Sequence, residues 1–92
     1  MAVEVRLPAL LRSLTQGAST VNVSAQTVAQ LIDELEQRYP GVREKLCDEN
    51  GNLRRYINVY VNSEDIRDLD GPETPLKDGD EVAIVPAIAG GV

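Results

Sequence analysis

The 92-residue chain contains no histidine, no tryptophan and no phenylalanine, and it has one cysteine and one methionine. Without histidine there is no Ser/His or Cys/His pair, no imidazole base and none of the commonest neutral metal ligand. The lone Cys47 gives neither an internal disulfide framework nor a Cys/His zinc set, which fits a reducing compartment. Three tyrosines are the only aromatics, and bases are outnumbered by acids, 9 against 15, for a net charge of −6. That balance opposes nucleic-acid binding, which needs clustered Lys and Arg and a stacking platform. No uncharged run approaches the roughly 20 residues of a membrane span, and the start of the chain alternates charged with apolar residues, unlike a signal peptide. The expectation is a cytoplasmic protein that engages neither membrane nor nucleic acid. A chain this short buries only about 60–65% of its unfolded surface, enough for one modest core but not for a large enclosed cleft, which argues against an enzyme.

The charge is unevenly placed. From Glu64 to Glu81 there are eight acids against Arg67 and Lys77, while the remainder carries seven of each sign. Such a flank either attracts a basic partner surface or is simply a solvated loop region. Asp68-Leu69-Asp70-Gly71 lacks the later ligands and the bidentate Glu of a calcium loop, so no metal site is assigned.

Val3, Val5 and Leu7 alternate with Ala2, Glu4 and Arg6, the period of a strand with one buried face, and Pro8 stops it. Val21 and Val23 predict a second strand over about 20–24, antiparallel to the first, with Leu10, Leu11 and Leu14 of the connection covering the core. Val28, Leu31, Ile32, Leu35 and Tyr39 form one helical stripe behind Thr27, with Gln30 completing a capping box, and Pro40-Gly41 ends the helix. Residues 42–46 extend to a further turn, with Leu46 and Cys47 under the sheet edge; Cys47 reads as a structural thiol. Residues 56–61 alternate as a third strand, Ile57, Val59 and Val61 inward. After the Asn62-Ser63 turn, Ile66 opens a short edge strand, Gly71-Pro72 and Pro75 mark an irregular loop, and Lys77-Asp78-Gly79-Asp80 turns into a last strand over 81–85 that Pro86 ends. The order is β-β-α-β-β-β, an α+β domain.

Beyond it runs Pro86-Ala87-Ile88-Ala89-Gly90-Gly91-Val92, with no charge and one large side chain. A flexible, projecting tail is expected, because Pro86 removes a ladder donor and the glycines lack side chains to pack.

Tyr56-Ile57-Asn58-Val59-Tyr60-Val61-Asn62, Pro75-Leu76-Lys77-Asp78-Gly79-Asp80-Glu81-Val82 and Val85-Pro86-Ala87-Ile88-Ala89-Gly90-Gly91 resemble the ubiquitin-like (beta-grasp) bacterial sulfur carriers. That family includes the thiamine carrier and the small subunit of molybdopterin synthase, and the likeness is greatest to its cysteine-biosynthesis branch. The resemblance spans nearly the whole chain. It implies a mixed sheet packed on one main helix over residues 1–86 and a flexible Gly-Gly tail over 87–92. It also implies a protein cosubstrate rather than an enzyme, a monomer when free, with no cofactor of its own. An adenylating, E1-like sulfurtransferase would use ATP to activate the terminal glycine, and a cysteine synthase-like enzyme holding pyridoxal phosphate would receive the sulfide. Gly91 is the adenylate and thiocarboxylate site on this reading, with Gly90, Ala89 and Ile88 entering the partner's channel, although Ile88 could equally cap the domain's own core. Carriers of this type mostly end at the second glycine, so for Val92 the resemblance implies either removal by a peptidase, of which a processing metalloprotease is one kind, or a full-length chain that is an inactive precursor. Strand parity puts Tyr56, Asn58, Tyr60, Ala83 and Val85 opposite the core, and the family's docking face carries over to Tyr60 and Val85. Two other roles stay open: the sulfur-donating subunit of molybdopterin synthase, and a protein modifier conjugated to lysines.

Overall fold

The computed structural model describes residues 2–86. The first strand, β1 (Val3–Arg6), turns its two valines inward and its Glu and Arg outward, as the alternation predicts. Pro8 ends it, but the connection is not featureless: Ala9–Arg12 forms a short helix, α1, whose Leu11 is fully buried while Leu10 and Leu14 pack on the core from its rim. One turn has too few residues to show a helical period, so only its leucines are legible in sequence. β2 (Thr20–Val23) then pairs antiparallel with β1, Val3 opposite Val23 and Val5 opposite Val21.

The main helix, α2 (Val28–Arg38), buries Val28, Leu31, Ile32 and Leu35. Thr27 caps it by accepting the Gln30 N–H at 3.1 Å. The reciprocal half of the capping box is displaced by one residue, Gln30 accepting instead from the Gln26 N–H. This stretch is pinned to 74–76, with the Leu76 N–H on the Gln26 carbonyl (2.9 Å) and the Val28 N–H on that of Thr74 (3.2 Å). At Gly41 the backbone has φ +107°, a conformation that residues with a Cβ rarely adopt, so this turn favours glycine; an added Cβ would only touch the methyl carbons of Leu14, at 3.4 Å. The following helix, α3 (Val42–Leu46), has no side-chain cap of its own. Glu36 supplies one from α2, its carboxylate accepting the N–H groups of Arg43 (2.8 Å) and Gly41 (3.2 Å), and these bonds, Arg43's foremost, hold its pKa below the ordinary carboxylate value. Cys47, directly after α3, is buried, and burial pushes its thiol pKa up, as befits a structural rather than a nucleophilic cysteine.

β3 (Ile57–Val61) begins one residue later than the alternation suggests and buries Ile57, Val59 and Val61. β4 is only Glu64–Asp65. Ile66 is therefore not in an edge strand; it starts a 3-10 turn (Ile66–Asp68), and its side chain enters the core. The loop expected at Gly71-Pro72 contains a second 3-10 turn, Gly71–Glu73, with Pro72 at its start. The last strand, β5 (Glu81–Pro86), includes the proline that was expected to end the ladder: Pro86 stands opposite Ile57 at the strand's last position.

The sheet order is β2-β1-β5-β3-β4. β5 lies between β1, with which it is parallel, and β3, with which it is antiparallel. The sheet is thus mixed, and its inner face and α2 enclose one core running from Val3 to Ile84.

The β3–β4 turn is a two-residue connection in which Asn62 (φ +51°) and Ser63 (φ +76°) both take left-handed backbone. Positive φ at both positions matches the type I′ hairpin, which favours Asn-Gly. Asn62 tolerates this conformation; Ser63 is strained by it. Ser63→Gly should stabilise the domain by about 0.5 kcal/mol, relief of strain outweighing the added freedom of the unfolded chain. Thermal unfolding should register a rise of about 2–4 °C; a fall would show that Ser63 is at ease there.

Candidate functional site

The register settles which side chains share the outer face of the sheet. Val5, Val82 and Val61 lie in one inward row, so the neighbouring row, Thr20, Arg6, Ala83, Tyr60 and Asp65, faces outward. Tyr60 is half-buried within it, beside the small Ala83. Val85 is 42% exposed opposite Asn58, two residues further along β5. The two docking candidates thus stand on one face, as parity predicts. Arg6 and Glu81 pair across that face at 2.9 Å.

Two further residues stand at the Pro86 end of this face: Tyr56, which parity already turns outward, and Arg67, which sequence reasoning does not select. Tyr56, just before β3, is 49% exposed. Arg67 reaches across from the 3-10 turn: its guanidinium donates to the side-chain oxygen of Asn58, to the Ile57 carbonyl at 3.0 Å and to the Arg55 carbonyl at 3.4 Å. Ten residues separate Arg67 from Ile57, so no local pattern could announce the contact. At the opposite end, Asp80 fixes the Asn62 turn by accepting from the Asn62 amide (3.0 Å) and the Lys77 N–H (2.8 Å). These bonds, led by that of Asn62, keep the Asp80 pKa below its ordinary value. Asp80 therefore works as a structural acid.

Gly91, Gly90, Ala89, Ile88 and Val92 lie outside the described residues. Among the described residues no group of three or more Cys, Asp or Glu side chains is placed to hold a metal, and no helix is long and apolar enough to cross a membrane.

A mixed five-stranded sheet wrapped on one main helix, with a parallel pair formed by the first and last strands, is the ubiquitin-like beta-grasp architecture. Residues 5–91 match the ThiS family, and the chain belongs to it. It is 44% identical over 93 residues to the sulfur carrier protein CysO of Mycobacterium tuberculosis, a match covering 99% of this chain and 100% of the relative. The structure superposes on a chain of the Amycolatopsis orientalis BexX/CysO complex with a TM-score of 0.91 and 46% identity, over 98% of this chain and 100% of that one. SAMP1 of Haloferax volcanii is more distant, with a TM-score of 0.83 and 29% identity over 99% of this chain and 100% of that one. The chain is accordingly a sulfur carrier of the ubiquitin-like type, a protein cosubstrate for other enzymes.

Proposed function

We propose that the chain carries sulfur as a thiocarboxylate on Gly91 and delivers it for cysteine biosynthesis. The observation that supports this reading is the full-length similarity to CysO, with a family match that runs through Gly91. A carboxylate does not react with sulfur nucleophiles at neutral pH. An adenylating, E1-like partner therefore joins the Gly91 carboxylate to the α-phosphate of ATP and releases pyrophosphate; hydrosulfide from a donor then displaces AMP at the acyl carbon. Glycine has no Cβ to obstruct that attack, and two glycines in succession let the chain thread a narrow channel. Gly90, Ala89 and Ile88 enter the partner's channel in this scheme while Tyr60 and Val85 dock on its surround. The carrier brings only the acyl group; ATP belongs to the activating enzyme, and pyridoxal phosphate to a cysteine synthase-like acceptor in the cytoplasm.

Whatever follows Gly91, beginning with Val92, keeps the Gly91 carbonyl as an amide. Its removal, for which a processing metalloprotease is the suited catalyst, therefore precedes loading. A free carboxylate on Val92 itself would be a poor substitute, since the branched Cβ crowds the carbon that sulfur must attack. The test compares two purified chains, ending at Gly91 and at Val92, each given the adenylating enzyme, ATP and sulfide. Exchange of oxygen for sulfur, a gain of about 16 Da, is expected only on the chain ending at Gly91. Equal loading of both would remove the processing step from the scheme.

A further inference from the structure

The charge of this acidic protein is polarised along β5. At the strand's start stand Asp78, Asp80 and Glu81, with Glu64 beside them on β4. At its end, about 17 Å away at 3.3 Å per residue, the neighbours are Arg54, Arg55 and Arg67. From Asn50 to Ser63 there is no acid at all. Arg54 is partly spent, donating twice to the Glu44 carbonyl at 3.0 and 3.2 Å. Arg67 is held on β3 by the bonds described above and has Asp65 at 3.7 Å. Arg55 is exposed, and among the described residues its guanidinium has no hydrogen-bond or ion-pair partner. Tyr56 follows Arg55 and directly precedes Ile57, which stands opposite Pro86, the residue after Val85. Tyr56 and Val85 are two of the three large apolar side chains exposed among the described residues.

We propose that Arg55, Arg67, Tyr56 and Val85 form a docking collar at the root of the tail, and that its occupant is the acid-rimmed, apolar mouth of the adenylating enzyme's channel. The collar adjoins the Tyr60/Val85 face and Pro86, the last described residue of β5, so a channel that takes the residues following Pro86 would bring its rim against these four residues. Charge selects the rim's character: three of the nine basic side chains stand at this end of a protein of net charge −6, Arg55 among them without a partner among the described residues, and favour an acidic counterpart there. The acidic far end, repelled by the same mouth, would turn the carrier so that it approaches tail first. Because the inference rests on the sulfur-carrier reading, its test must be able to separate the two.

The test uses the chain ending at Gly91 and the adenylating enzyme, with the rate of loading read by mass at several carrier concentrations and at low and high salt. Arg55→Glu is the informative variant, since its side chain has nothing to lose within the described fold. It should raise KM about tenfold at low salt with kcat unchanged, and the difference should shrink as salt rises. Arg55→Lys should stay within about twofold of the parent, because it keeps the charge. Lys45→Glu, the same charge change on α3, should also stay within about twofold. Equal KM increases for Arg55→Glu and Lys45→Glu, or none for either, would overturn the collar while leaving the carrier function intact. No loading of the parent chain would overturn the carrier reading, and the collar with it.

Discussion

Deleting Gly90, Gly91 and Val92 should abolish adenylation and sulfur loading outright while leaving the domain as stable as before. The expectation of unchanged stability comes from where the core ends. Among the described residues every buried apolar side chain lies between Val3 and Ile84, and the β3–β5 ladder runs to Pro86, opposite Ile57. The expectation of abolished loading comes from chemistry, since a chain ending at Ala89 presents a carboxylate that is crowded by a Cβ and two residues short of the activating site. Thermal unfolding and the mass-based loading assay on the same preparation give both readouts. A shift in midpoint beyond about 2 °C, more than small surface changes produce in a domain this size, would make the tail part of the fold. Loss of cooperative unfolding would mean the same.

The second large effect separates the two faces of β5. Ile84 is 3% exposed opposite Val59, so Ile84→Ala removes buried methyl groups and leaves a cavity at a cost of about 2–5 kcal/mol. That is a large fraction of the roughly 5–15 kcal/mol typical of a whole domain. Val85, the next residue, points outward. Val85→Asp should change stability by no more than about 0.5 kcal/mol and weaken binding of the adenylating partner. Tyr60→Ala should weaken the same binding. Urea denaturation and titration of the partner by calorimetry distinguish the outcomes. Equal stability losses at 84 and 85 with unchanged binding would mean that the docking assignment is wrong, whatever the parity.

The contrast between neighbours at 84 and 85 also shows what is legible in the sequence. Period-2 patterns at 3–7, 57–61 and 81–85 and the stripe from Val28 to Tyr39 announce their elements because each buries one face against a common core, and that burial writes its period into the chain. The misread positions are those where tertiary placement overrides local pattern. Ile66 is apolar in a stretch of turn residues and looks like a strand opening, yet the chain has already left the sheet at Asp65 and tucks Ile66 under it. Ala9–Arg12 is too short to repeat. Pro86 fits within β5 because it occupies the strand's end. The outward row of the sheet follows from parity alone, but Arg67 does not, since its three acceptors are brought to it by the turn that reverses the chain. The Gly-Gly ending gains its meaning from family resemblance, for no geometric rule distinguishes a functional diglycine from an ordinary one.

The position of β5 in the sheet bears on how the protein is made. Of the elements described it is the last to be synthesised, yet it is the strand that joins β1 and β2 to β3 and β4. Until it emerges, a nascent chain holds two separate hairpins, each exposing an unpaired edge and an uncovered row of valines, the kind of surface that chaperones and proteases recognise. Closing the sheet brings Val5 and Val82 together across most of the chain, and such a long-range pairing is a slow, all-or-none event. Chains cut short before residue 81 would therefore be cleared rather than persist as folded decoys. A chain that reaches the folded state has, by that fact, already been translated through β5, to within five residues of Gly91.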